Sequence, residues 1–265
     1  MCLATAFAAI PLDQRRSLEK PRTSGLTMVS DYQSSLPALA GLLDLAGGYI
    51  DIFKIATGTA RLFPREHLIE KLALLRTPGV RSLLGGQMQE YVLHTMGISA
   101  MPAHLAEARA VGMDMVEISD NVIELGQDTR NQLIAMVRDA GLSPVGEIGD
   151  KRSKTDPEAM VIKVNEVFAA GAELAMIEGQ ELMHGGVRDE ALIQALNENC
   201  DTSRCMFELA TPRVGATTVQ IYAGKKALIK AFGPDVNIGN VTPDTVIETE
   251  TTRLGLGSAG PLSYL

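Results

Sequence analysis

The chain has 265 residues, 46% of them hydrophobic, and a formal net charge of −8, with a sequence pI near 5.1. That is enough apolar material for one large α/β core or two small ones. The acidic balance, without a basic block or basic–aromatic interleaving, argues against a general nucleic-acid surface, and no apolar run reaches the ~20 residues of a membrane helix.

The first ten residues are small and apolar, but no positive segment precedes them, so no signal peptide is expected. Residues 1–19 read as an N-terminal arm, flexible or loosely docked over residues 1–16. Residues 20–257 read as one domain and 258–265 as a tail. Cys2, Cys200 and Cys205 have neither metal-ligand spacing nor a disulfide framework, which points to a reducing, cytoplasmic setting.

The first strand is expected over Gly25–Ser30, ending at Asp31, and a helix over Leu36–Gly47. Tyr49–Ile55 reads as strand two, carrying Asp51 and Lys54, and Pro64–Leu75 as the next helix. Val80–Leu84 is strand three, closed by Gly85-Gly86-Gln87; a helix follows over Met101–Val111. Met113–Ile118 is strand four, and Gln127–Ala140 a helix stopped by Gly141. Pro144–Ile148 is strand five, and Asp156 with Pro157 opens a helix running to Ala170. Glu173–Ile177 is strand six, Asp189–Asn199 a helix, Arg204–Leu209 strand seven and Thr217–Phe232 a helix. Asp235–Ile238 is strand eight, and Thr242-Pro243 opens a last helix to about Arg253. Eight strand–helix units argue a closed, parallel (β/α)8 barrel. The alternative, an open doubly wound sheet, lacks the Gly-x-Gly-x-x-Gly turn after its first strand.

Four successive strands carry an acid at or near the C-terminal end: Glu117, Glu147, Glu178 and Glu208. In a barrel all strand ends share one mouth. Here it would hold Asp31, Lys54, Gln87, the four glutamates, Lys151 and Asn240. Crowded carboxylates repel, so they need a hard dication such as Mg²⁺, or lysine and arginine partners in a purely structural network. The candidate ligands are Asp31, Glu117, Glu147, Glu178 and Glu208. Lys151, beyond the Gly149 turn, is either a general acid tuned by those carboxylates or an exposed loop lysine beside Arg152 and Lys154. Gly239-Asn240-Val241-Thr242-Pro243 opens a helix whose N–H groups could cradle an anion, or is an ordinary capped turn. His67, His94 and His104 fall on helices or their starts; His184 follows strand six, near the mouth, and spacing assigns none of them to a metal.

Several segments together resemble the phosphosulfolactate synthase family, the (β/α)8 enzymes that open coenzyme M biosynthesis. They are Lys20-Pro-Arg-Thr-Ser-Gly-Leu-Thr-Met, Ile50-Asp-Ile-Phe-Lys, Thr57-Gly-Thr, Gly85-Gly and Val116-Glu-Ile-Ser-Asp. Glu147-Ile-Gly-Asp-Lys, Ile177-Glu and Phe232-Gly-Pro-Asp-Val-Asn-Ile-Gly-Asn-Val complete the set. The resemblance implies a lyase that adds sulfite to the methylene carbon of phosphoenolpyruvate, giving phosphosulfolactate. It implies Mg²⁺ on mouth carboxylates, Glu147 and Lys151 in catalytic roles with Lys151 as proton donor, and a homo-oligomer. Lys20, Arg22, Lys54, Gln87, Gln180, Gly239 and Asn240 would contact substrate. The chain departs from the family's pattern where arginines are expected, at Gln180 and Gly257, and at Gln87, where the family has threonine. Arginine forks are the usual means of holding phosphate or sulfonate. Two other readings are therefore carried: the same metal-assisted chemistry on a different, less anionic carboxylate or with another nucleophile, and a non-catalytic binding or stress-associated barrel of the same family.

Overall fold

The computed structural model describes residues 6–149, 155–184 and 187–256, with side chains for all of these except residues 183, 184 and 187. Eight parallel strands close into a barrel: β1 (Thr27–Asp31), β2 (Ile52–Ile55), β3 (Arg81–Leu84), β4 (Met115–Ile118), β5 (Ser143–Ile148), β6 (Leu174–Ile177), β7 (Cys205–Glu208) and β8 (Asn237–Val241). Consecutive strands pair, and β8 closes on β1 with a register shift between Thr27 and Val29. The closed barrel is the expected fold, and the open sheet is excluded.

Ten helices are described: α1 (Leu36–Ala46), α2 (Arg65–Arg76), α3 (Gly86–Met96), α4 (Met101–Val111), α5 (Gln127–Asp139), α6 (Pro157–Ala169), α7 (Gly179–Leu182), α8 (Glu190–Asn199), α9 (Thr218–Phe232) and α10 (Val246–Arg253). Their starts follow local chemistry. Asp156 accepts hydrogen bonds from the N–H groups of Glu158 and Ala159, and Thr217 forms a capping box with Gln220. α3 and the single-turn α7 are helices that sequence reasoning missed. Gly85-Gly86 reads as a turn, yet Gly85 is extended and Gly86 already belongs to the helix.

Strand side chains alternate between two cores. Val29, Phe53, Val116, Ala175 and Phe207 face outward and pack beneath the helices. Met28, Ile52, Leu83, Met115, Val145, Met176 and Met206 fill the barrel. Four methionines in that interior give a core that fills gaps with flexible side chains.

The N-terminal end of the barrel is closed by buried arginines. Arg253, fully buried, donates to the carbonyls of Pro234 (2.7 Å) and Val236 (2.6 Å). Arg16 forms a two-pronged pair with Glu250, at 2.8 and 3.0 Å, and donates to Asp235 at 3.0 Å. Arg16 was expected in a loosely docked arm; instead its burial makes it part of the barrel's floor.

Candidate active site

Strand periodicity brings the acids together. Glu117 stands two residues after Met115, Glu147 after Val145, Glu178 after Met176 and Glu208 after Met206. Each therefore points inward, one layer above an interior apolar side chain, at the C-terminal mouth. Lys54 stands in the same relation to Ile52, and Ser30 to Met28. All four acids are 5% exposed or less.

Lys54 Nζ donates to Glu117 Oε1 at 2.8 Å and to Glu208 Oε1 at 3.1 Å. The Gly86 N–H at the start of α3 donates to Glu117 Oε2 at 2.7 Å, and Asn121 Nδ2 to Glu147 Oε2 at 2.8 Å. Glu147, Glu178 and Glu208 each place an oxygen within 4.8 Å of the other two. Among the described residues, the Lys54 ammonium thus bridges Glu117 and Glu208 and feels Glu147 at longer range. Burial works against the charged form of Lys54, but Glu117, Glu208 and Glu147 outweigh it and hold the ammonium well above its ordinary range. Burial would likewise raise Glu117, yet Lys54 keeps it below the usual carboxylate value. Glu147 is pushed well above that value, by burial first and then by the charges of Glu117 and Glu208. Three buried oxygen donors at this spacing match the hard, oxygen-rich environment that a divalent cation such as Mg²⁺ takes.

A cavity of about 240 Å³ opens over Lys54, Glu117, Glu147 and Glu208. Ser30, Gln87, Asn121 and Asn240 supply neutral polar walls, and Tyr32 and Arg213 stand on its β1 and β7 sides. Two lining residues, Thr57 (φ 54°) and Asn240 (φ 57°), hold left-handed backbone conformations without being glycine. That strain is unusual for a β-branched threonine and is the kind that collects at working sites. A larger cavity, about 340 Å³, lies away from the acids and is lined by Phe63, Met88 and His104 among others.

The family model described as (2R)-phospho-3-sulfolactate synthase (ComA) matches residues 15–259. The chain belongs to the phosphosulfolactate synthase family. It is 30% identical over 243 residues to the phosphosulfolactate synthase of Methanothermobacter thermautotrophicus, covering 89% of this chain and 91% of that one. It is 25% identical over 250 residues to that of Bacillus subtilis (90% and 93% covered). Protein HEAT-STRESS-ASSOCIATED 32 of Arabidopsis thaliana is 22% identical over 249 residues (83% and 82% covered). Among solved structures, the carboxyl transferase domain of Rhizobium etli pyruvate carboxylase shares the fold, with TM-score 0.60 and 16% identity over 83% of this chain and 40% of that one. No helix among the described residues is long and apolar enough to cross a membrane.

The segments that link the chain to phosphosulfolactate synthases fall at both ends of the barrel. Lys54, Gln87 and Asn240 line the mouth. Lys20 and Arg22 do not, which corrects their expected role as substrate contacts. Lys20 Nζ donates to the carbonyls of Gly47 (3.1 Å) and Pro78 (2.9 Å), and Arg22 Nε donates to Asp51 at 3.1 and 3.2 Å. Asp51 precedes β2, so this group tightens the N-terminal end, where barrels keep stability rather than chemistry. Gly239 contributes space instead of contact: a Cβ there would meet Met28 Cε at 2.9 Å and Glu208 Cγ at 3.3 Å. Gln180 is half-buried on α7 and is not among the described residues that line the mouth. Lys151 and Gly257 lie outside the described residues.

Asp31 is likewise not with the other acids. It follows Ser30 by one residue, so it faces outward with Val29, and its partners are Lys71 Nζ on α2 and the Ser34 N–H at 2.9 Å. It is a structural anchor rather than a ligand. Replacing Lys71 by Met, which leaves a buried carboxylate without its counter-charge, is expected to cost about 3–5 kcal/mol in denaturant unfolding. Affinity for divalent cations should stay within about twofold of the parent. Ser30, Tyr32, Thr57, Asn121 and Arg213 are mouth residues that sequence reasoning missed. For Ser30 the signal was present, two residues after Met28; the others sit on loops, which carry no period to read.

Proposed function

We propose that the protein is a divalent-cation-dependent synthase that joins sulfite to phosphoenolpyruvate. The observation that carries this reading is the buried set of Glu147, Glu178 and Glu208 at the mouth of a barrel of this family. Those three would hold Mg²⁺, and Glu117 stays committed to Lys54 and the α3 N-terminus. Bound there, Mg²⁺ supplies Lewis-acid stabilisation for charge that spreads into the substrate carboxylate.

The sulfite sulfur donates its electron pair to the methylene carbon and forms the C–S bond. The carbon–carbon π electrons move to the phosphate-bearing carbon and are delocalised into the adjacent carboxylate. A proton then reaches that carbon, and Lys151, four residues beyond the inward Glu147 of β5, is assigned to deliver it. Lys54 fixes the positions of Glu117 and Glu208, and Asn121 that of Glu147, so the acids need not reorganise during the reaction.

Incubation with Mg²⁺, phosphoenolpyruvate and sulfite, followed by mass spectrometry, is expected to give phosphosulfolactate. Lys151→Ala should lower kcat by about 10²–10⁴-fold while the substrate is still bound. No product at any enzyme concentration contradicts the assignment. One observation favours a second reading: the arginines expected at Gln180 and Gly257 are missing. Another enolisable carboxylate or nucleophile would then give a product of different mass.

A further inference from the structure

We infer that Arg213, on the loop after β7, is the guanidinium that receives the substrate's phosphate. The proposal rests on the reading of the mouth as the site of an anionic substrate. Among the described residues, the mouth offers an anion little other positive charge. Its other described cation, Lys54, is spent on Glu117 and Glu208. Lys20 and Arg22 are at the opposite end. Arg213 lines the cavity, and among the described residues it makes neither a hydrogen bond nor an ion pair.

Among the described residues, its guanidinium meets an aromatic ring. Cζ lies over the Tyr32 ring at 5.0 Å from the centroid. Such stacking occupies the flat face of a guanidinium and limits its rotation, but it consumes none of the five N–H donors. A stacked guanidinium with its donors uncommitted is suited to a bidentate grip on a phosphate. Position agrees with this chemistry. In (β/α)8 barrels phosphate is frequently held by the loops after strands seven and eight. Arg213 follows β7, and Asn240, which also lines the cavity, lies near the end of β8. Asn240 is held in place by Ser30 Oγ, which donates to its Oδ1 at 2.8 Å, and by its own Nδ2, which donates to the Leu209 carbonyl at 3.3 Å. The guanidinium thus stands in for the arginines absent at Gln180 and Gly257, supplied from a different strand.

The test is calorimetric titration of phosphoenolpyruvate, and separately of inorganic phosphate and of sulfite, into the full-length protein with Mg²⁺ present. Arg213→Gln should weaken phosphoenolpyruvate and phosphate by about 10- to 100-fold. Arg213→Lys should recover part of that loss, because it restores charge without the fork. Sulfite affinity, Mg²⁺ affinity and thermal midpoint should be unchanged. Tyr32→Leu, which removes the ring but not the charge, should weaken phosphate binding by a smaller factor, about two- to fivefold. Phosphate and phosphoenolpyruvate affinities unchanged in Arg213→Gln would overturn the proposal, as would a loss confined to sulfite or a parent protein that binds neither phosphate-bearing anion. If the parent protein binds phosphoenolpyruvate through Arg213 but forms no phosphosulfolactate, the assigned reaction fails and the phosphate site stands.

Discussion

Glu147→Gln should make the cation-free protein more stable and the cation-binding site defective. Glu147 lies within the crowded acid group, hydrogen-bonded by Asn121 and buried. Burial and the neighbouring charges of Glu117 and Glu208 raise its pKa well above the ordinary value. A carboxyl whose pKa is raised on folding binds its proton more tightly in the native state than in the unfolded chain. Stability is then fully present below the unfolded value of about 4.5 and is lost as pH climbs toward the raised native value. Glutamine keeps the shape and removes this loss. In chelator, the variant and the parent should therefore unfold alike near pH 4.5. The variant should gain about 1–3 kcal/mol as pH rises to 8. Added Mg²⁺ should raise the parent's thermal midpoint by mass action, and the variant's affinity should be weaker by about 100-fold or more. A variant less stable than the parent at pH 8 in chelator would contradict the electrostatic account of the acid group.

Gly179→Ala is expected to damage both the fold and the site through a single methyl group. Gly179 follows Glu178 and packs against the end of β7. A Cβ built on it would lie 1.8 Å from the Glu208 carbonyl oxygen, a backbone atom that cannot swing aside. The strands that must part to admit the methyl are the two that carry Glu178 and Glu208. A cost of about 3 kcal/mol or more is expected in denaturant unfolding, together with weakened cation binding. Gly41, inside α1, is the control. A Cβ there meets nothing within 4 Å, so Gly41→Ala should gain up to about 1 kcal/mol from helix propensity alone. Equal effects at the two positions would mean that close backbone approach is not what requires glycine at 179.

The acid-bearing strands were legible because their chemistry is periodic. A buried apolar residue followed two positions later by a glutamate, on β4 through β7, states both the strand and the face. Asp31 shows how little separates success from failure: one residue past Ser30, it faces the helices and pairs with Lys71. α3 was hidden by Gly85-Gly86, where the absence of side chains reads as a turn. The physical reason for glycine is different: a Cβ on Gly86 would lie 2.3 Å from Ser119 Oγ, and its N–H serves Glu117. Lys20 and Arg22 were misplaced because family resemblance marks a residue as significant without saying at which end of the barrel it acts. Arg213 escaped notice because loops have no register, and its significance depends on Tyr32, 181 positions away in the chain.

The account stands on buried carboxylates converging to hold a dication. Anomalous diffraction from crystals grown with Mn²⁺, a substitute for Mg²⁺ with an X-ray signal, addresses it most directly. One strong peak is expected among Glu147, Glu178 and Glu208, at oxygen-ligand distances and open toward the cavity beside Arg213. Crystals with saturating Mn²⁺ that show no peak there, or a peak at Asp31 or on the outer helices, would contradict it.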